Sequence, residues 1–208
     1  LVKIGGNYNY YCSKMILGIT GSIGSGKTTA AKIFSRYHFN RIDADEIGHS
    51  LMNNKKLKNK LIKNFGNEIL SRNKSIDRKK LGNIVFSDNK KLKKLNSIIH
   101  PLIINEIKSQ IKKIQKKYGD DSKIIIDAPL LLETNLKNYV DKVIVVKADK
   151  NKIIMRLNKK FPREKIERIL KAQMPLENKL KYADFVIENN GGKKELEKQV
   201  VRIIQKLK

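Results

Sequence analysis

Strand-length apolar runs recur at Met15 to Thr20, Lys123 to Asp127, Val140 to Val146 and Phe185 to Ile187, with a weaker one at Arg41 to Asp43. Stretches of helical periodicity separate them, and this alternation predicts an α/β fold whose parallel sheet is covered on both faces. The interval from Glu46 to Tyr118 is of another kind. It holds no convincing strand, and its apolar residues return at helical spacing, as in Leu57, Leu61, Ile62 and Phe65, then Leu92, Leu95, Ile98 and Ile99. That interval reads as a helical insertion. Polar residues break it near Gly66-Asn67 and from Ser71 to Ser75. Asp77 and Asp88 are placed to cap helices, and Pro101 is expected at the start of a long helix running to Tyr118. A second helical excursion, Asp149 to Tyr182, is interrupted at Phe161-Pro162 and at Pro175. One core domain with two excursions is the simplest account.

At 208 residues and 40% hydrophobic content, the chain suits a single core. Charges interrupt every apolar stretch well short of the roughly 20 residues that cross a bilayer, so a soluble protein with no membrane partner is expected. The one cysteine, Cys12, has no internal disulfide partner, and no Cys/His cluster has zinc spacing, which makes a reducing, cytoplasmic setting the expectation. Residues 1–14 carry neither the apolar centre of a secretory signal nor the Arg-rich pattern of a transit peptide. They read as a disordered extension ahead of Met15, with a functional arm as the alternative. A net charge of +26 would attract polyanions at low salt. The lysines are nevertheless spread over nearly every helical stretch, alongside abundant asparagine and isoleucine, as AT-rich coding produces. With aromatics at 6% and no nucleic-acid-binding signature, no specific nucleic-acid partner is expected. A monomer or weak homo-oligomer is expected.

Chemistry enters between the first apolar run and the helix after it. Gly21, Ser22, Ile23, Gly24, Ser25, Gly26, Lys27 and Thr28 form a complete G-x-x-x-x-G-K-[ST] phosphate-binding loop, with Thr29 next on the helix. Glycines let successive N–H groups point into one concavity, and the helix adds its positive N-terminal end to the same place. Lys27 would bring a point charge to the β/γ-phosphates of a nucleotide, and the Thr28 hydroxyl would complete a Mg²⁺ shell. A glycine-rich turn without a ligand is the competing reading.

In open α/β sheets ligands gather beyond the carboxyl ends of the strands. Asp43 and Asp45 lie where the second strand ends, and both would face the loop if extended backbone continued to Asp45. Two such carboxylates can orient a substrate hydroxyl and help hold Mg²⁺; the alternative is that Asp45 only caps the next helix. Asp127 ends a run of three isoleucines, the pattern of an acid that meets Mg²⁺, or else of a structural aspartate at a buried strand end. Arg156, Arg163 and Arg168 cluster in the second excursion, which suits a lid carrying positive charge over a moving phosphoryl group or, equally, a solvated surface. His38 and His49 read as surface positions on helices. His100 is divided between helix packing and substrate contact. The guanine-reading N-K-x-D and switch D-x-x-G sequences are missing, which disfavours a GTPase and leaves a small P-loop kinase.

From Met15 to the C-terminus the chain resembles the dephospho-CoA kinase family. The resemblance is carried by Leu17 to Thr28, by Ile42-Asp43-Ala44-Asp45, Phe65-Gly66, Ile76-Asp77-Arg78, His100-Pro101 and Pro129-Leu130-Leu131 with Glu133. It continues through Arg168, Gln173-Met174 and Ala183 to Ile187 with Asn189 and Gly191. It implies a P-loop core like that of nucleoside monophosphate kinases, with a parallel five-stranded sheet over 15–45, 119–155 and 183–208. The insertion, 46–118, would be the helical CoA domain, and 156–182 the lid. The implied reaction moves the γ-phosphoryl of ATP, with Mg²⁺, to the ribose 3′-hydroxyl of dephospho-CoA, giving CoA and ADP. Carried over by motif, Asp45 would orient or deprotonate the acceptor with Asp43 beside it, and Lys27 and Arg156 would balance charge on the moving group. Thr28 and Asp127 would face the metal. Arg78, His100, Pro129, Leu130, Leu131 and Glu133 would form the acceptor pocket, and Asn189 would border the adenine. Two positions depart from the family pattern: Lys160 stands where the lid usually has a second arginine, and Ser22 where glycine is common. A nucleoside or nucleoside monophosphate kinase is the runner-up, and a basic nucleic-acid-binding ATPase the non-kinase alternative.

Overall fold

A computed structural model of the chain describes residues 15–119 and 121–207; the expected N-terminal extension, with Cys12, lies outside the described residues. Five parallel strands form one sheet: β1 (Met15–Gly21), β2 (Asn40–Asp43), β3 (Lys123–Asp127), β4 (Lys142–Lys147) and β5 (Phe185–Glu188), in the order β2-β3-β1-β4-β5. The continuous apolar runs that predicted the strands are the signature of burial on both faces. In β3, Ile124, Ile125 and Ile126 have no exposed surface.

Alternate residues of each strand serve opposite layers. On one face, Leu17, Ile19, Ile125 and Ile144 pack against Ala31 and Phe34 of α1 (Lys27–Arg36) and Leu196 and Val200 of α9 (Lys193–Lys206). On the other, Ile16, Ile42, Ile124 and Ile126 meet Ile47 of α2 (Ala44–Leu51) and Ile107 and Ile111 of α5 (Asn89–Tyr118). The insertion has its own core, in which Leu57, Leu61 and Phe65 of α3 (Lys55–Phe65) and Leu81 and Val85 of α4 (Arg78–Phe86) surround Ile98 and Ile99. A small antiparallel bridge, Leu70 to Ile76, closes the turn between them. The second excursion comprises α6 (Lys150–Leu157), α7 (Arg163–Ala172) and α8 (Leu176–Leu180), with Ile153, Leu157 and Ile166 as its buried contacts.

Three local expectations are corrected. Pro101 lies inside α5, which begins well upstream at the cap Asp88, whose carboxylate accepts from the N–H groups of Lys90 and Lys91. Proline withholds one helical hydrogen bond there. The helix continues because it is anchored on both sides, by Ile98 and Ile99 in the insertion core and by Ile107 and Ile111 on the sheet. The extended backbone of β2 stops at Asp43, which becomes the cap of α2 by accepting from the N–H of Asp45 (3.0 Å) and Glu46 (3.1 Å), so Asp45 reaches the site from a first helical turn. His38 sits in a left-handed turn after α1, with φ 67°, and not on a helix.

Strand order fixes where a ligand can sit. The chain passes from β3 on one side of β1 to β4 on the other, and the crevice beyond the carboxyl ends opens at that reversal.

Candidate active site

The phosphate loop leaves the end of β1 and runs into α1. Gly26 holds φ 97°, and a β-carbon there would stand 2.1 Å from Asn189 Nδ2, so both the backbone and the neighbour demand glycine. Ser22, by contrast, is outside the left-handed region that only His38 and Lys74 enter among described non-glycine residues, so its side chain costs the loop no strain. Asn189 is buried behind the loop and donates through Nδ2 to the Ser25 carbonyl at 2.8 Å. Its side chain therefore braces the loop from behind.

Lys27 is 8% exposed at the start of α1. Burial pulls its pKa below the usual lysine range, while the carboxylates of Asp127 and Asp45 push it back up and Lys179 adds to the depression. Asp45 opens onto the same space, and the protein around it, by thinning the water at its carboxyl, raises its pKa; Lys27 opposes that shift, and Asp43 and Asp127 reinforce it. Asp43 and Asp127 face each other in register across β2 and β3. Between them lies Arg41, whose guanidinium donates to Asp43 Oδ2 and, at 3.2 Å, to Asp127 Oδ2. The sequence reading passed over Arg41, although its i, i+2 spacing to Asp43 on a strand places both on one face.

A cavity of about 420 Å³ extends from this cluster. Lys27 and Asp45 form its floor with Ile23 beside them, Arg78, Leu81, Phe86 and Leu92 of the insertion one wall, and Ile169 and Gln173 of the second excursion another. Asp45, Pro129 and Leu130 also line an adjoining pocket of about 60 Å³ with His100 and Thr134. Burial lowers the pKa of His100, with Glu133 pulling the other way. The structure thus brings Lys27, Asp45, Arg78, His100, Pro129 and Leu130 around connected space.

Other expected site residues lie elsewhere. Leu131 is fully buried and packs beneath Gly18, where even a β-carbon would stand 2.5 Å from its Cδ2, so it supports the sheet and lines neither cavity. Glu133 lines neither cavity; its Oε1 accepts from Lys179 Nζ at 2.9 Å and from the Met174 N–H at 3.0 Å. Arg156 reaches back to the Gly24 carbonyl at 3.3 Å and the Asn189 carbonyl at 2.7 Å, spanning the loop's edge and the chain after β5. Arg163 and Arg168 are solvated, each beside a glutamate one helical turn away, and Lys160 is exposed. Lys179, fully buried, is the second residue that the sequence reading passed over. One lysine in a chain so rich in them carries no mark of burial.

Among the described residues no set of three His, Cys, Asp or Glu side chains can hold a metal by itself. The oxygen donors Thr28, exposed in the first turn of α1, and Asp127 at the end of β3 fit Mg²⁺, which keeps most of its shell as phosphate and water oxygens. No helix among the described residues is long and apolar enough to cross a membrane.

A five-stranded parallel sheet in this order, with a lysine-bearing phosphate loop at its switch point and a cavity shared by two helical excursions, is the fold of the P-loop kinases. The family model described as dephospho-CoA kinase matches residues 15–195, and the chain belongs to that family. A dephospho-CoA kinase of Fusobacterium nucleatum is 43% identical over 197 residues, which cover 93% of this chain and 98% of that one. The crystal structure of TT1252 from Thermus thermophilus aligns with a TM-score of 0.76 at 27% identity, over 94% of this chain and 99% of that one. A dephospho-CoA kinase from Campylobacter jejuni aligns with a TM-score of 0.60 at 32% identity, over 93% and 97%.

Proposed function

We propose that the chain transfers the γ-phosphoryl of ATP to the ribose 3′-hydroxyl of dephospho-CoA, giving CoA and ADP. The observation that carries this reading is the placement of Lys27 and Asp45 on the floor of one cavity whose opposite walls come from the insertion and the lid. Amides of the loop and the Lys27 ammonium grip the phosphates. Asp45 accepts the hydroxyl proton as the new bond forms from that oxygen to the γ-phosphorus, and the bond to the β-phosphate oxygen breaks with ADP leaving. In phosphoryl transfer charge is spread over the equatorial oxygens, so a fixed ammonium and an aimed acceptor contribute more than strong base catalysis. Thr28 and Asp127 are the residues that would hold Mg²⁺, which when bound neutralises phosphate charge.

Arg78 supplies a cation for acceptor phosphate, and Leu81, Phe86 and Leu92 supply an apolar face for the acceptor's longer arm. Arg156, already tied to the loop edge, closes the nucleotide side. A cytoplasmic setting accords with these substrates. The test is a coupled assay of ADP release by purified protein with MgATP. Release that depends on dephospho-CoA supports the reading, and equal or faster release with a nucleoside or nucleoside monophosphate in its place refutes it.

A further inference from the structure

Lys179 on α8 has no exposed surface, a rare condition for lysine because a buried ammonium must find partners for both its charge and its donors. Its Nζ donates to the Pro129 carbonyl at 2.8 Å and to Glu133 Oε1 at 2.9 Å. Each acceptor is shared. The Thr20 hydroxyl, on β1, donates to the same Pro129 carbonyl at 3.0 Å, and the Met174 N–H, where the lid returns to the core, donates to the same Glu133 oxygen at 3.0 Å. One residue earlier, Gln173 Oε1 accepts the Ile23 N–H of the phosphate loop at 3.0 Å. The other oxygen of Glu133, Oε2, is buried with no hydrogen-bond partner, which leaves Lys179 as the group that balances this carboxylate.

A single ammonium therefore joins the end of β1, the segment that forms the pocket wall and the root of the lid. That wall, Pro129-Leu130, borders both cavities. We propose that Lys179 is a positioning residue for phosphoryl transfer, which locks the Pro129-Leu130 wall to the lid root and so sets the acceptor hydroxyl at a fixed distance from the phosphate loop. This rests on the reading of the cavity as the acceptor site. It assigns Glu133 the part of a strut between wall and lid, in place of direct acceptor contact. Lys179 also stands near enough to Lys27 for its charge to be felt there.

The test compares wild type with two variants. Lys179→Met alone would strand the Glu133 charge, so it is combined with Glu133→Gln, which removes both charges at similar volume and keeps an acceptor for the Met174 N–H. Glu133→Gln alone keeps an acceptor for both hydrogen bonds but leaves the Lys179 ammonium with only neutral acceptors, the new amide oxygen and the Pro129 carbonyl, so its fold is checked by a thermal melt beside wild type. Acceptor kcat/KM is read from dephospho-CoA-dependent ADP release, and ATP affinity separately by calorimetric titration. For the double variant acceptor kcat/KM falls on the order of 10²-fold, the loss expected for a displacement of about 1 Å. Glu133→Gln loses about tenfold, since an ammonium-to-carboxylate pair becomes a weaker ammonium-to-amide bond. ATP affinity stays within about threefold in both, a split that general loss of structure does not produce.

Acceptor kcat/KM near wild type in the folded double variant overturns the proposal. So does an equal fall in ATP affinity. Should the double variant not fold, a Glu133→Gln enzyme indistinguishable from wild type overturns it. A wild type without acceptor-dependent turnover overturns the functional reading and this proposal with it, whereas active wild type beside unaffected variants overturns only the role of Lys179.

Discussion

Lys27→Met separates what Lys27 does for catalysis from what it does to the fold. Methionine keeps most of the buried stem and removes the ammonium, so the change is one of charge in a side chain that is 8% exposed in the native protein. Loss of a principal fixed donor facing the charge that develops in a transition state costs about 3 to 4 kcal/mol, or on the order of 10² to 10³ in kcat. Stability should move the other way. The folded-state pKa of Lys27 is held below its unfolded value, chiefly by burial, so in the window between the two the unfolded chain binds more protons and stability rises with pH. Below the unfolded-state value, a range that includes neutral pH, burying this ionisable group is a net cost to folding. Removing it should leave the melting temperature unchanged or raised, with the lost attraction to Asp127 and Asp45 limiting the gain. The assay pairs steady-state turnover with a thermal melt of the free protein at pH 7. Turnover within tenfold of wild type, or a melt lowered by several degrees, refutes the reasoning.

Asp45→Asn should lower kcat strongly with little change in ATP affinity. Because the Asp45 pKa is raised, the acid limb of kcat/KM should lie above the usual carboxylate range in wild type and vanish in the variant, as a pH-rate series would read. Gly26→Ala forces a β-carbon to within 2.1 Å of Asn189 Nδ2 at φ 97°; ATP affinity by calorimetric titration should fall at least about tenfold, with a stability loss of about 1 to 3 kcal/mol. Leu61→Ala empties a fully buried position of the insertion core and should cost about 2 to 5 kcal/mol in urea unfolding. The phosphate loop does not touch that core, so acceptor KM should rise while ATP affinity holds.

Strands such as Ile124 to Ile126 were legible because burial on both faces writes an uninterrupted apolar run, and Asp127 because it ends that run. The caps Asp77 and Asp88 were legible for the same local reason, since each carboxylate bonds N–H groups two and three residues ahead. Failures came where distant contacts overrule local preference. Pro101 starts no helix because packing on both sides carries the helix through it. Asp43 takes the cap and moves Asp45 from strand to helix. Leu131 carries the family motif yet faces the sheet, and no periodicity in a short turn could place it. For Arg156 the sequence shows the charge but not its anchorage, because its guanidinium donates to two backbone carbonyls that are remote in sequence. Lys179 is the extreme case, a charge whose importance lies wholly in tertiary partners.

These particular groups also show why the basic composition is not what recognises the substrate. At the carboxyl edge of the sheet, Asp43, Asp45, Asp127 and Glu133 stand against Lys27, Arg41 and Lys179, four negative charges against three positive. The site before binding is therefore close to neutral, although the chain carries +26. A nucleoside triphosphate upsets that balance by several negative charges in a space partly shut off from water, where each uncompensated charge is expensive. The deficit has to be met by cations that arrive with the nucleotide or from the walls, which is the physical case for Mg²⁺ at Thr28 and Asp127 and for Arg78 beside the acceptor. Surface lysines act only over a screening length of about 8 Å at physiological salt, so they can hasten encounter without choosing among anions. Selectivity must come from the few charges whose positions are fixed by hydrogen bonds, and in this chain Arg41 fixes Asp43 and Asp127 while Lys179 fixes Glu133.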